Sequence, residues 1–136
     1  MALPVERIEL RGFSADYLQQ YNDVDIALDT YPYTGGLTTM EALLMGVPVV
    51  SRYGSRHGTR FGLSFLSNIG LEMLAAANWQ EYVQKALLLA QNPELLSDLR
   101  HKIPQLVKNS PLMDGKSYCQ AVEKLYIRLY KKRCLS

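Results

Sequence analysis

Residues 24–60 read VDIALDTYPYTGGLTTMEALLMGVPVVSRYGSRHGTR, and this stretch decides the fold. An apolar run typical of a buried strand, Asp25–Leu28, ends at Asp29 and is followed by a glycine-containing loop. A helix is predicted from Thr38, and a second apolar run follows at Val47–Val50. Strand, loop, helix and strand in this order build a parallel sheet, which binds ligands outside the carboxyl ends of its strands. We therefore expect a ligand to bind at the glycine-containing loop.

The loop that leads into this helix has the composition of a phosphate-binding turn. Glycines let the backbone approach a ligand closely, and the N–H groups of a helix N-terminus favour a bound phosphate. Two threonine hydroxyl groups lie at the same point. We predict diphosphate binding at Gly35, Gly36, Thr38 and Thr39. In the alternative interpretation, the two glycines only make a turn and Thr38 only caps the helix.

The same stretch resembles a known family of enzymes. LDTYPYTGG and TTMEALLMGVPVV are similar to the nucleotide-sugar-binding segment of the protein O-linked N-acetylglucosamine transferases and their bacterial, tetratricopeptide-repeat-bearing and Spindly-like relatives. The resemblance continues through SRYGSRHGTRFGLSFLSNIGL, WQEYVQKALLLAQNPELLSDLR and SPLMDGKSYCQAVEKLYIRLY, and covers residues 7–133. No single motif establishes the resemblance, since short Gly-Gly-Thr-Thr loops are widespread. The ordered series of matches along the chain establishes it.

The resemblance implies an α/β fold with a partial Rossmann-like parallel sheet and C-terminal helices. Such a chain would be the C-terminal half-domain of a two-domain GT-B glycosyltransferase. We predict one partial domain, 1–136, with a βαβ nucleotide-binding core at 5–76 and a C-terminal helical segment at 77–136. A complete sheet of this kind has about six strands. An N-terminal catalytic half and a repeat domain would therefore be missing, and the chain alone is expected to be inactive.

The resemblance also implies the reaction and its partners. The family transfers a sugar, such as N-acetylglucosamine, from a UDP-sugar donor to Ser or Thr of a protein acceptor. Its chemistry is metal-independent, so no metal and no cofactor are expected beyond the donor substrate. The chain contains no catalytic triad and no general base that its own sequence identifies.

Glu41 occupies the position of the family's acidic residue, which hydrogen-bonds the ribose hydroxyls. In the alternative interpretation, Thr38 to Glu41 is a capping box in which the Glu41 carboxylate accepts from the Thr38 amide. Leu37 departs from the family pattern, where many relatives carry a threonine or histidine near Gly36 and position 37. This departure removes a hydroxyl or imidazole from the predicted phosphate site.

The family's base-recognition region corresponds to residues 12–21. In the animal enzymes it carries a lysine, a histidine and an arginine, and residues 15–21 here carry none of them. Phe13, Tyr17 or Tyr21 could stack on a base instead, or they could be ordinary packing residues. Uridine as the base therefore rests on the resemblance alone.

A cluster of cationic side chains follows the second strand, at Arg52, Arg56, His57 and Arg60. The loop that carries them would border the ligand cleft. His57 and Arg60 are candidates for a phosphate or sugar contact. A solvated basic loop explains the same residues equally well.

The composition of the chain excludes several classes of protein. With 136 residues, 48% of them hydrophobic and 21% charged, it fits one globular domain or part of one. A net charge of +2 gives no reason to expect a nucleic-acid partner. There is no apolar run of membrane-spanning length and no signal peptide. Cys119 and Cys134 fit no metal-ligand spacing, so we expect a reduced, cytoplasmic protein.

The flanking elements are predicted from local patterns. Residues 7–11 alternate as in a short strand, and residues 15–22 follow as a helix capped by Ser14. Further helices are predicted at residues 61–68, after the Asn78 capping box, after Asn92-Pro93 with a kink or break at Pro104, and after Asp114. Residues 71–76 form a strand or turn. The last helix is predicted to bury Tyr118, Val122, Leu125, Tyr126 and Leu129.

Two rival functions remain open at this level. The missing base-reading cations and Leu37 are compatible with a degenerate, non-catalytic interaction or dimerisation module. An exposed strand edge before Arg7 would then pair with a second copy to form a homodimer. A small phosphate-binding domain of flavodoxin type is a weaker alternative, since it needs more strands.

Overall fold

Three strands within residues 3–134 form one parallel sheet. The structure, a computed structural model, describes residues 3–134, so positions 1, 2, 135 and 136 of the predicted domain lie outside the described residues. Strand β1 is Ala27–Leu28, β2 is Val49–Arg52 and β3 is Ala75–Ala76. The order is β1-β2-β3, with Ala27 opposite Val49 and Ser51 opposite Ala75. The predicted α/β class with a small parallel sheet is confirmed.

Five α-helices within residues 3–134 accompany the sheet: α1 is Leu37–Leu44, α2 is Phe61–Asn68, α3 is Trp79–Ala90, α4 is Pro93–Lys108 and α5 is Gly115–Cys134. Short 3-10 helices lie at Val5–Arg7, Tyr17–Asp23, His57–Thr59, Glu72–Leu74 and Pro111–Met113. Among these described residues, no helix is both long and apolar enough to cross a membrane.

The core is built around β2, the middle strand, against which α1, α2 and α3 pack. Val49, Val50 and Ser51 of this strand are buried, as expected for a parallel strand covered on both faces. Helix α4 packs against α1 and α3. The fully buried large apolar side chains are Leu43, Val47, Val49, Val50, Leu66, Leu74, Leu89, Ile103 and Val107.

Local signals placed several elements correctly. Helix α1 ends where predicted, because Gly46 has a φ of 82° and its amide donates to the Leu43 carbonyl. The bounds of α2 agree with the prediction, and Gly70, at a φ of 72°, follows it. The Asn78 cap is also confirmed, since its side chain accepts from the Glu81 amide at 2.9 Å. Pro48 lies just before β2, where the sheet does not require a hydrogen bond from its missing N–H.

The predicted N-terminal strand is wrong. Residues 8–11 form no regular secondary structure, and Val5–Arg7 is a 3-10 helix. Alternation yields a strand only beside a partner strand, and within the described residues β1 pairs with β2 alone. Leu10 accordingly remains 92% exposed. The helix predicted at residues 15–22 is also wrong in type, because Tyr17–Asp23 is a 3-10 helix.

The buried faces of the C-terminal helices are smaller than their apolar patterns suggest. In α3 the core contacts come from Tyr82 and Leu89, while Val83 and Leu87 are half-exposed. In α4 the helix continues through Pro104, so no break occurs there. No residue of α5 is buried, and Tyr118, Leu125, Tyr126 and Leu129 are exposed. The prediction that α5 buries an apolar face is therefore wrong, because no part of residues 3–134 covers it.

We predict that the two asparagine caps of α3 and α4 contribute unequally to stability. Asn78→Ala removes the bond to the Glu81 amide and should lower the free energy of unfolding by about 1 kcal/mol. Asn92 makes no capping bond, and its amide donates instead to the Leu88 carbonyl, so Asn92→Ala should cost clearly less. Urea denaturation of both variants measures the difference. Equal losses would contradict the capping assignment.

Candidate functional site

Asp29 organises the loop at the carboxyl end of β1. Its Oδ1 accepts from the Gly35 amide at 2.7 Å, and its Oδ2 accepts from the Ser51 hydroxyl at 2.6 Å. The Tyr82 hydroxyl donates to the Asp29 carbonyl at 2.9 Å. Asp29 thus joins the glycine loop, β2 and α3 at one point. From the sequence alone, Asp29 at the end of a buried strand could make a turn or capping bond or take part in catalysis, and the structure shows the turn bond.

Two glycines make this arrangement possible. A Cβ on Gly35 would overlap Thr39 Oγ1 and lie 2.8 Å from Thr38 Oγ1. A Cβ on Gly62, in the first turn of α2, would overlap Ser51 Oγ and lie 2.8 Å from Asp29 Oδ2. Gly36 differs from both, since a Cβ there would meet nothing within 4 Å. The close approach predicted for the glycine loop therefore belongs to Gly35.

The N-terminus of α1 points its amides into the loop. Gly36 is the N-cap, so no side chain caps the first turn, and that turn carries N–H groups without intrahelical partners. Thr38 is exposed, whereas Thr39 is only 4% exposed and packs against Gly35. Thr38 can therefore offer its hydroxyl to a ligand, and Thr39 is placed to support the turn.

A cavity of about 200 Å³ lies at this turn, beside the carboxyl end of β1. Its lining combines the phosphate-turn residues with an aromatic side chain from the N-terminal segment: Asp29, Thr30, Gly35, Thr38, Thr39 and Tyr21. The structure thus brings Gly35, Thr38 and Thr39 together around one space, as the sequence predicted.

Glu41 lies about one turn after Leu37, the first residue of α1, and contacts the 3-10 helix Tyr17–Asp23. The Tyr17 hydroxyl donates to Glu41 Oε1 at 2.6 Å. This hydrogen bond to the Glu41 carboxylate raises the pKa of the Tyr17 phenol. The capping-box interpretation is wrong, because the N-cap is Gly36 rather than Thr38, and Glu41 lies beyond the third position of the helix. The ribose role of Glu41 stays a prediction.

The residues considered for base stacking are in three different environments. Phe13 is fully exposed. The Tyr21 hydroxyl donates to the Thr38 carbonyl at 3.4 Å, and burial, with a smaller contribution from Glu41, raises the pKa of its phenol. Tyr17 and Tyr21 also line a second cavity of about 510 Å³, next to the ion-paired Arg11. The described structure therefore gives the two tyrosines polar contacts with α1 and leaves Phe13 without a packing role.

His57 and Arg60 do not line the cavity at Gly35. The His57 ring stacks edge-on against Phe61 at 5.0 Å, and an Arg60 N–H donates to the Gly54 carbonyl at 2.9 Å. Both line a separate cavity of about 440 Å³ beside α2. The two loops are nevertheless connected, because the Thr34 amide donates to the Gly58 carbonyl at 3.2 Å. A sugar contact by His57 or Arg60 stays a prediction.

Arg52 occupies an aromatic cage that the sequence pattern did not indicate. Its guanidinium carbon lies 3.9 Å from the centre of the Tyr31 ring and 4.7 Å from that of Trp79. Tyr31 lies in the loop after β1, and Trp79 is the first residue of α3, which follows β3. The two rings meet edge-on at 5.8 Å and form a corner that stabilises the Arg52 cation in place of a carboxylate. Its buried Nε has no hydrogen-bond partner within the described residues.

Asp23 and Asp25 form an Asp-x-Asp sequence that the sequence analysis passed over. Asp23 accepts from Arg11 at 3.0 Å, and Asp25 lies 3.9 Å from an Arg100 nitrogen. Neither residue joins the cavity at Gly35. Within residues 3–134, no three His, Cys, Asp or Glu side chains come together as a metal site.

Comparisons with known proteins agree on one family of enzymes. The sequence profile of glycosyl transferase family 41 matches residues 14–122. The probable UDP-N-acetylglucosamine–peptide N-acetylglucosaminyltransferases SPINDLY of Solanum lycopersicum and Arabidopsis thaliana are 41% and 42% identical over 130 residues, which are 96% of this chain and 14% of each relative. The structure of a mutant O-GlcNAc transferase from Thermobaculum terrenum superimposes with a TM-score of 0.82 at 35% identity, covering 91% of this chain and 24% of that one.

We predict that substitution by alanine destabilises the protein at Gly35 but not at the adjacent Gly36. Gly35→Ala should lower the melting temperature by several degrees, since its Cβ has no room and forces the Asp29 bond apart. Gly36→Ala should leave the melting temperature nearly unchanged, because the same methyl group meets open space. Differential scanning calorimetry of both variants checks this. A larger loss for Gly36→Ala than for Gly35→Ala would overturn the assignment.

Proposed function

The chain belongs to glycosyl transferase family 41, and on that premise we propose that it is the donor-binding part of an enzyme that transfers N-acetylglucosamine to protein. The predicted family and the predicted glycosyltransferase class are confirmed by this membership. The names of the relatives contain UDP-N-acetylglucosamine as donor and a peptide as acceptor. This chain spans 14% of their length, which supports a catalytic half and further segments elsewhere in a longer protein.

One observation carries the donor-binding role. The Asp29 carboxylate closes the glycine loop at the start of α1, where Gly35, Thr38 and Thr39 line one cavity. Amide dipoles fixed in this way attract a diphosphate without any rearrangement on binding. Asp29 keeps its negative charge, and the hydrogen bonds that its two oxygens accept from Gly35 and Ser51 hold it in a structural role beside the turn.

The same arrangement suits the chemistry of sugar transfer. When the bond from the sugar to the diphosphate breaks, negative charge grows on the leaving uridine diphosphate. Donors held in place stabilise that charge in the transition state at no reorganisation cost. In this proposal Gly36 and Thr38 donate to the diphosphate, and Gly35, whose amide is bonded to Asp29, lets the backbone approach it. Thr39 supports the turn, and Glu41 accepts from the ribose hydroxyls. The proposal keeps the expectations that no metal or cofactor takes part and that the protein is cytoplasmic.

Nucleotide titration of the isotope-labelled chain tests the donor-binding role. Uridine diphosphate should shift the backbone amide signals of residues 35–41, and uridine without phosphates should not. Thr38→Val removes one hydroxyl that would bond a charged oxygen and should weaken uridine diphosphate binding by about tenfold. Ser97→Ala, which removes an exposed hydroxyl from α4, is the control and should bind like the unmodified chain.

Two results would count against the proposal. The first is the absence of any shift at millimolar uridine diphosphate. The second is a set of shifts that avoids residues 35–41, for example one confined to the cavity at His57 and Arg60. Equal weakening by Thr38→Val and Ser97→Ala would show that the Thr38 hydroxyl makes no contact with the nucleotide.

One observation favours the alternative, a non-catalytic interaction or dimerisation module. Helix α5 exposes several large apolar side chains. It also carries six Lys and Arg side chains and one Glu, so two α5 helices would repel each other. The strand edge on which a homodimer was predicted does not exist among the described residues. We therefore expect a monomer in sedimentation velocity at micromolar concentration and physiological salt; a dimer under these conditions would support the module.

A further inference from the structure

The 3-10 helix Tyr17–Asp23 touches α1 through two phenol hydroxyls. The Tyr17 hydroxyl donates to Glu41 Oε1 at 2.6 Å, a short, charge-assisted hydrogen bond. The Tyr21 hydroxyl donates to the Thr38 carbonyl at 3.4 Å, which is a much weaker contact. Of the two, the Tyr17 bond therefore fixes a side chain, and that side chain is the one proposed to meet the ribose.

The 3-10 helix is itself held from its other end by α4. One Arg100 N–H donates to the Val24 carbonyl at 2.5 Å, and another donates to the Asn22 carbonyl at 2.9 Å. These bonds occupy carbonyl groups at the end of the helix, where a cation is favoured. The segment that carries Tyr17 is thus hydrogen-bonded to α4, which restricts the position of the Tyr17 phenol.

Glu41 retains capacity to accept hydrogen bonds after it binds Tyr17. It is partly exposed, and within residues 3–134 its Oε2 accepts no hydrogen bond and neither oxygen pairs with a cation. A carboxylate has about four acceptor positions. A carboxylate fixed through one oxygen is well suited to receive two neighbouring hydroxyl groups, since it loses little side-chain entropy when they bind.

We propose that Tyr17 is a positioning residue that aims the Glu41 carboxylate at the ribose hydroxyls of the donor nucleotide. This inference rests on the proposed function and adds to it a residue outside the phosphate turn. It assigns Tyr17 a polar role through its hydroxyl, where the sequence had suggested stacking of its ring on the base. The two roles differ in which part of the side chain matters, and this difference makes them separable.

Isothermal titration with two nucleotides separates the roles. The nucleotides are uridine diphosphate and 2′,3′-dideoxyuridine diphosphate, which keeps the base and both phosphates but lacks the ribose hydroxyls. Tyr17→Phe, which keeps the ring, should weaken uridine diphosphate about tenfold and change the dideoxy compound by less than twofold. Tyr118→Phe, which removes an exposed phenol hydroxyl from α5, is the matched control, and it should change neither.

The Tyr17–Glu41 contact is measured separately in the nucleotide-free protein. Because the Glu41 carboxylate raises the pKa of the Tyr17 phenol, Glu41→Gln should lower that pKa towards its ordinary value. Selective labelling of the tyrosine ring carbons follows this titration by NMR. An unchanged pKa would show that the contact is absent in solution and would overturn the inference.

The binding outcomes distinguish this inference from the proposed function. If the unmodified chain binds neither nucleotide, the donor-binding role fails and the inference falls with it. If it binds uridine diphosphate and Tyr17→Phe leaves both affinities unchanged while Tyr17→Ala weakens both, the ring stacks on the base and the inference alone fails. Equal weakening of both nucleotides by Tyr17→Phe would indicate a general structural role and would also overturn it.

Discussion

The hydrogen bond from the Gly35 amide to Asp29 Oδ1 holds the glycine loop against the carboxyl end of β1, the strand that precedes it. This bond determines where α1 begins, and therefore where the first-turn amides and Thr38 point. The second carboxylate oxygen accepts from Ser51 on β2, so the loop is tied to the middle strand as well. A partly buried carboxylate needs donors close to its oxygens, and side chains on Gly35 and Gly62 would crowd the two donors and the carboxylate itself.

Much of the fold was predictable because its signals are local. The apolar runs on either side of Gly-Gly-Thr-Thr indicated two parallel strands joined by a helix. Gly46 ended α1 as expected, and the Asn78–Glu81 pair started α3. Residues such as Gly35 and Thr38 could be assigned to one site because they are neighbours in sequence and a helix N-terminus follows them directly. Each of these inferences needs only residues a few positions apart.

The features that were missed depend on contacts between residues far apart in sequence. Arg52 looks like one more cation of a basic loop in the sequence, and only the fold brings the Tyr31 and Trp79 rings against its guanidinium. The Tyr17–Glu41 bond spans 24 positions, and no periodicity reports it. The alternation at residues 7–11 predicted a strand because a pattern describes a face without saying whether a neighbour exists to cover it. The exposed apolar face of α5 reflects the same limit.

The small size of the sheet explains why side chains control the site so strongly. Strands β1 and β3 contribute two residues each, so the ladder alone supplies few bonds to hold the loop after β1. Tyr82 of α3 donates to the Asp29 carbonyl, and Arg100 of α4 holds the segment just before β1. Tyr82 lies one turn after the Asn78 cap, so its hydrogen bond joins the start of α3 to the residue that holds the glycine loop. The predicted division between a core at 5–76 and a helical segment at 77–136 therefore separates residues that shape one site together.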